Sequence, residues 1–145
     1  MNFSWLRKLF PKRPPYEQAF ADAKTPDAVC KIVARWIRED PEAEDEWTSP
    51  PETWARGYGD CEDFSFLIAE QCNRLGFPCG VHFFYVIGVH QEGHALAIGQ
   101  GWVADMAEYI PKATFQDARE IAARKLDTTP DRLWFAIVPP PKHKK

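Results

Sequence analysis

A cysteine, a histidine and an aspartate are the side chains of this 145-residue chain whose types and spacing could do covalent chemistry. Cys61 sits in Gly57-Tyr58-Gly59-Asp60-Cys61-Glu62-Asp63-Phe64, where two glycines loosen the backbone ahead of it. A helix-patterned apolar run follows, Phe64, Leu67, Ile68, Cys72 and Leu75. A thiol in the first turn of a helix lies near the positive end of the helix dipole, which favours the thiolate. His94 and Asp105 lie downstream in a stretch that reads as a hairpin.

The turn length gives that hairpin a register. Gly-X is a two-residue hairpin loop, so Gly99-Gln100 as the loop pairs Ile98 with Gly101 and, further out, His94 with Asp105. The two side chains are then expected directly cross-strand on one face, their Cβ atoms roughly 4.5–5.5 Å apart. A slip of one residue would send them to opposite faces.

A Cys-His-Asp site of this kind does acyl transfer. His94 would take the thiol proton and return it to a leaving amine, and Asp105 would hold the imidazole in the right tautomer. The Cys61 N–H would stabilise the oxyanion, with Trp36, Trp47 or Trp54 as indole donors to it. Trp47, Trp54 and Tyr58 suggest an aromatic-lined cleft. The flanking acids Asp60, Glu62 and Asp63 work against the thiolate. Two readings relieve the conflict. Asp60 and Asp63 cap the helix and point away from sulfur, or hard oxygen ligands, Asp60 and Glu62 among them, hold a calcium ion. No cofactor is otherwise required.

The elements that must position these residues can be read in order. Residues 2–10 are expected to form a two-turn helix with Phe3, Leu6 and Phe10 on one side, an arm that packs, frays, or touches a membrane or partner. A short helix is expected over Pro15–Ala23, then a helix started by Thr25-Pro26-Asp27 and running to about Arg38. Asp40–Pro51 is an acidic, proline-bounded loop. The Cys61 helix runs to Leu75 and stops at Gly76. Strands are expected over Val81–Val89, His94–Ile98 and Gly101–Asp105, with Gln91-Glu92-Gly93 turning the chain. A helix capped at Thr114 covers 115–125, and a last strand spans Leu133–Val138 before three prolines and a basic tail. The fold class is α+β: an arm over 1–14, then one domain over 15–145.

Composition narrows the classes. A hydrophobic content of 45% fits a globular core, and a net charge of −3 offers no basic field for nucleic acid. Nothing approaches the roughly 20 apolar residues of a membrane span. Cys30, Cys72 and Cys79 lie among apolar residues and read as core packing, and His82 and His90 as structural or exposed. Four cysteines are too few for a disulfide framework, and no export signal is visible, which points to a reducing cytoplasm.

Gly59-Asp60-Cys61-Glu62-Asp63-Phe64, His94-Ala95 opening a strand, and Trp102-Val103-Ala104-Asp105 resemble the Cys, His and Asp motifs of the transglutaminase-like superfamily. The GDCED form and the preceding Ser49-Pro50-Pro51-Glu52-Thr53 are most similar to the bacterial transglutaminase-like cysteine proteinases. The resemblance covers residues 47–109. It implies a papain-like fold, N-terminal helices with the nucleophile helix packed on a small antiparallel β-sheet. It also implies thiol chemistry on a protein or peptide substrate, and calcium use by the acids matching Asp60 and Glu62. The chain departs from that group in lacking an export signal, and from many superfamily members in having Leu96 two residues after the histidine. Three functions follow as expectations: a cysteine hydrolase of peptide or amide bonds, a transamidase on the same triad, or a non-catalytic binding or structural module, as in a phage or bacterial assembly.

Overall fold

Local sequence signals set the helix starts. In the computed structural model, which describes residues 11–40, 47–89 and 93–141, Thr25 caps α2 (Pro26–Trp36) by accepting from the Ala28 N–H at 3.1 Å. Before it, α1 is one turn, Tyr16–Ala19, shorter than the expected Pro15–Ala23. Helix α2 ends at Trp36 because the chain then extends into β1 (Arg38–Glu39), which pairs in parallel with β2 (Tyr58–Gly59). Between these strands lies α3 (Pro50–Arg56), entered on a proline pair and closed by Gly57 in the left-handed conformation at φ 81°. The loop expected over Asp40–Pro51 thus gives way to a helix at Pro50, entered on the proline pair that ends the acidic stretch. Helix α4 (Cys61–Arg74) follows and ends before Gly76, which is also left-handed.

The main sheet is antiparallel and five-stranded, in the order β6-β5-β4-β3-β7. Its members are β3 (Cys79–Val86), β4 (Gly93–Gly99), β5 (Trp102–Asp105), β6 (Glu108–Pro111) and β7 (Leu133–Val138). Strand β6 was not anticipated; Met106, at φ 54°, turns the chain into it. Helix α5 (Phe115–Lys125) joins β6 to β7 and starts in a capping box between Thr114 and Asp117. The helix expected over residues 2–10, the acidic stretch 41–46, residues 90–92 and residues 142–145 of the basic tail lie outside the described residues.

Alternation along the strands makes three layers. Ala97, Trp102 and Ala104 face α4 and share a core with Leu67, Ile68 and Cys72, backed by Val29, Cys30 and Val33 of α2. Phe84, Leu96 and Val103 face the other way, onto Ala118, Ala122 and Ala123 of α5. Each large apolar side chain buried this way contributes about 1.5–3 kcal/mol. Cys30 and Cys72 are buried in the first of these cores, as expected.

The β4–β5 register differs from the expected one. Ile98 pairs with Val103 and Ala97 with Ala104, so the loop is Gln100-Gly101, with φ 81° at Gly101. The reason is Trp102, whose ring lies across Gly99; a Cβ there would sit 2.1 Å from a ring atom. Tryptophan therefore pairs with the residue that leaves it room. The shift is by two residues, an even number, so His94 and Asp105 keep a common face. They stand one diagonal step apart instead of directly opposite.

Candidate active site

Cys61 is the first residue of α4, and the turn before it is tightly held. Asp60 Oδ1 accepts from the Asp63 N–H at 3.3 Å, and Asp63 Oδ2 accepts from the Asp60 N–H at 3.1 Å, a reciprocal capping box. The Arg56 guanidinium donates to Asp63 Oδ2 at 2.6 Å, and the Thr48 N–H reaches Asp63 Oδ1 at 3.4 Å. Asp63 thus ties α3, the segment before it and α4 together. Gly59 does not loosen this turn: a Cβ there would lie 2.6 Å from Asp63 Cβ, so only glycine lets the strand approach so closely. The box uses the N–H groups of Asp60 and Asp63, not that of Cys61.

The sulfur meets the sheet through Ala95, whose N–H donates to Cys61 Sγ at 3.5 Å. Hydrogen-bonding direction alternates along a strand. The Ile87 N–H bonds Arg132 O, which fixes the phase of that alternation across β3 and leaves Ala95 aiming its N–H at β5. The β5 partner there would be Met106, already turning away in a left-handed conformation. The sulfur takes the place that a strand carbonyl would fill.

Next to Ala95, His94 Nε2 and Asp105 Oδ1 are 2.7 Å apart, and both side chains are buried. With Nε2–H donating to the carboxylate, Nδ1 is the basic nitrogen. Lys125, in the last turn of α5, lies 3.8 Å from Asp105 Oδ2.

The acids divide in their roles. Asp60 and Asp63 cap, as one reading expected. Glu62, however, turns to the thiol, and Cys61 Sγ–H donates to Glu62 Oε2 at 3.4 Å. Burial pushes the Cys61 thiol pKa up, the charge of Glu62 pushes it further, and the Ala95 N–H opposes them. The thiol, not the thiolate, is the form this arrangement favours. Glu62 itself is pushed up to about 7 by burial, by a hydrogen bond with the Asp60 carboxyl and by that neighbour's charge. Burial and Asp60 also raise Asp63, to about 6, against the pull of Arg56.

The tryptophans expected to line a cleft separate. Trp54 is 3% exposed, inside the helical core, and its indole N–H donates to Pro14 O at 2.7 Å. It is neither an oxyanion donor nor a cleft wall, because the apolar face of α3 carries it inward. Arg13 joins the same contact, donating to Ala55 O at 2.8 Å. Trp36 packs against that core with Arg35 over its ring. The guanidinium groups of Arg38 and Arg56 lie 5.7 and 4.9 Å from the centre of the Tyr58 ring. Trp47 stays on the cysteine side, 46% exposed, its ring 5.6 Å from that of Phe66, a residue of the cluster against which Cys61 packs.

A cavity of about 430 Å³ opens beside Asp105, bordered by Ile37, Glu39, Phe64, Met106 and Lys125. Among the described residues no cluster of three or more metal-ligating side chains occurs; Asp60 and Glu62 are a pair. Arg56, Thr48 and Lys125 were missed from sequence. Their contacts depend on a left-handed glycine, on a chain crossing and on the docking of α5, none of which follows a fixed residue spacing.

No family profile and no curated protein sequence matches the chain. Solved structures do. Calcium-bound LapG of Legionella pneumophila superposes with a TM-score of 0.52 at 16% identity, over 74% of this chain and 73% of that one. A candidate cysteine protease from Cytophaga hutchinsonii superposes with a TM-score of 0.50 at 18% identity, over 94% of this chain and 52% of that one. This chain thus spans about half the length of the Cytophaga protein. Helix order, antiparallel sheet and these superpositions agree: the chain has the α+β fold of LapG and the Cytophaga protein, with the Cys61 helix packed on an antiparallel sheet.

Proposed function

We propose that the chain is a cysteine-dependent hydrolase of peptide or amide bonds, with Cys61 as nucleophile, His94 as general base and acid, and Asp105 orienting the imidazole. The observation that carries this reading is the 2.7 Å His94–Asp105 contact on the residue next to the one that binds the Cys61 sulfur. His94 Nδ1 takes the thiol proton as sulfur attacks the carbonyl carbon. The Cys61 N–H stabilises the oxyanion, and the imidazolium protonates the departing amine as the C–N bond breaks. Water, deprotonated by the same imidazole, then hydrolyses the thioester. No helix among the described residues is long and apolar enough to cross a membrane, and four free cysteines suit a reducing compartment.

Asp60 and Glu62 fit a calcium ion by their chemistry. Both are hard oxygen donors, and their carboxyls are hydrogen-bonded to each other with Glu62 raised to about 7, a pair that holds a proton where a cation could replace it. A bound ion would screen the acids beside the thiol. In a melt with excess calcium against EGTA, the wild-type chain should gain about 2–3 kcal/mol at a hundredfold excess over Kd. Asp60→Asn, which still caps, and Glu62→Gln should each lose most of that gain.

Iodoacetamide labelling with calcium present tests the main reading. Cys61 should alkylate selectively between about pH 6 and 7, well below the ordinary thiol range, and His94→Ala should abolish that selectivity. Slow, uniform labelling of all cysteines would instead favour a non-catalytic module on this fold. A transamidase would share the labelling and differ in passing the acyl group to an amine.

A further inference from the structure

Strand β7 breaks the usual rules for a sheet edge. It ends the strand order among the described residues, yet its sequence, Leu-Trp-Phe-Ala-Ile-Val, has no charge, proline or glycine. Edge strands are ordinarily guarded by lysine, proline or a bulge, because a free row of N–H and C=O groups templates further pairing. Here both faces are apolar and open: Trp134 is 58% exposed, Phe135 44% and Ile137 66%. Phe115 and His82 extend the Phe135 face, with rings at 4.9 and 5.7 Å from Phe135.

The backbone phase decides what the edge can accept. The Ile87 N–H bonds Arg132 O, and β3 pairs with β7 in that register, so the even-numbered residues Trp134, Ala136 and Val138 direct their backbone groups at β3. Leu133, Phe135 and Ile137 therefore direct theirs outward. A second β7, run antiparallel about a two-fold axis through Ala136, meets this pattern. Phe135 and Ile137 of each copy then exchange both backbone bonds with Ile137 and Phe135 of the other. Ala136 faces Ala136 in the close, non-hydrogen-bonded position, where a small side chain is needed. Trp134 lies across from Val138 on one face, Phe135 from Ile137 on the other. Aromatic residues opposed to β-branched ones are favourable cross-strand pairs. Pro139 to Pro141, which lack N–H groups, end the ladder on each side.

We infer that β7 is a homodimerisation edge, joining two copies of this chain through an isologous antiparallel β7–β7 pair into one continuous sheet. The occupant is a second copy because one register satisfies the outward backbone groups, the apolar pairs and the alanine at the axis together.

Sedimentation of the full chain over a concentration series tests it. The expected result is a reversible monomer–dimer equilibrium whose dissociation constant rises about tenfold or more in Ile137→Lys; that residue is largely exposed, so the fold should survive, as circular dichroism will show. Under mild oxidation Ala136→Cys should give a disulfide-linked dimer through the new thiol, located by peptide mapping, while Trp134→Cys should not. A chain that stays monomeric throughout, or a dimer unaffected by Ile137→Lys, would overturn the proposal. So would a monomer whose Phe135 and Ile137 amides resist hydrogen exchange, since another segment would then cover the edge.

Discussion

Replacing Asp105 by asparagine keeps the shape of its contact with His94 but reverses one hydrogen-bonding role, so the imidazole should settle in the wrong tautomer. Under the proposed mechanism kcat should fall on the order of 10²-fold or more with little change in folding, measured on any peptide or ester substrate found to be turned over. Glu62 offers a second test with a definite sign. Its folded pKa of about 7 lies above its ordinary value of 4.5, so the fold favours the protonated form. The stability this contributes is full below about pH 4 and is lost as the pH rises through about 7. Glu62→Gln imitates the neutral form. It should raise the melting temperature at pH 8 by roughly 3 °C, corresponding to about 1 kcal/mol once solvent screening is allowed for, and leave it unchanged at pH 4. At this scale type and order single out Cys61, His94 and Asp105 as candidates, and the structure brings His94 and Asp105 into contact. That Glu62 would turn to sulfur while Asp60 and Asp63 turned to backbone depends on rotamers that no spacing rule specifies.

Elements with covalent or capping punctuation were legible, and those defined by contact were not. Thr25-Pro26, Thr114 with Asp117, and Asp60 with Asp63 each marked a helix start that the structure contains. Helix α3 was hidden because its two leading prolines read as loop, and Trp54 then looked like a groove residue instead of the buried face of a helix. The β4–β5 loop was placed one residue early. Glycine occupies both Gly99 and Gly101, and the choice between them rests on where the Trp102 ring lies. Gly59 is the element-scale test. Gly59→Ala places a methyl group 2.6 Å from Asp63 Cβ and must displace the start of α4. A destabilisation of about 1–3 kcal/mol in urea is expected, with slower Cys61 alkylation. Equal stability and reactivity would show that the close approach is dispensable.

For the whole molecule, the sheet is shared property. One face closes the helical core around α2 and α4, the other closes the core under α5, and neither core is complete without β4. Unfolding should therefore be one transition. Intrinsic tryptophan fluorescence and far-ultraviolet circular dichroism should give the same urea midpoint, and separated midpoints would show that the α5 layer opens on its own. The α+β class and the helix-on-sheet arrangement followed from patterning and from the resemblance. The open edge at β7 did not, because a run such as Leu133–Val138 reads alike whether it lies inside a sheet or at its rim. The sulfur standing in for a strand carbonyl at Ala95 has a spectroscopic consequence. An amide proton shared with a thiol, a thiolate or an alkylated sulfur experiences three different fields. The Ala95 cross-peak in a nitrogen–proton spectrum should thus move with every change in the chemical state of Cys61, giving a titration and an occupancy signal that need no substrate.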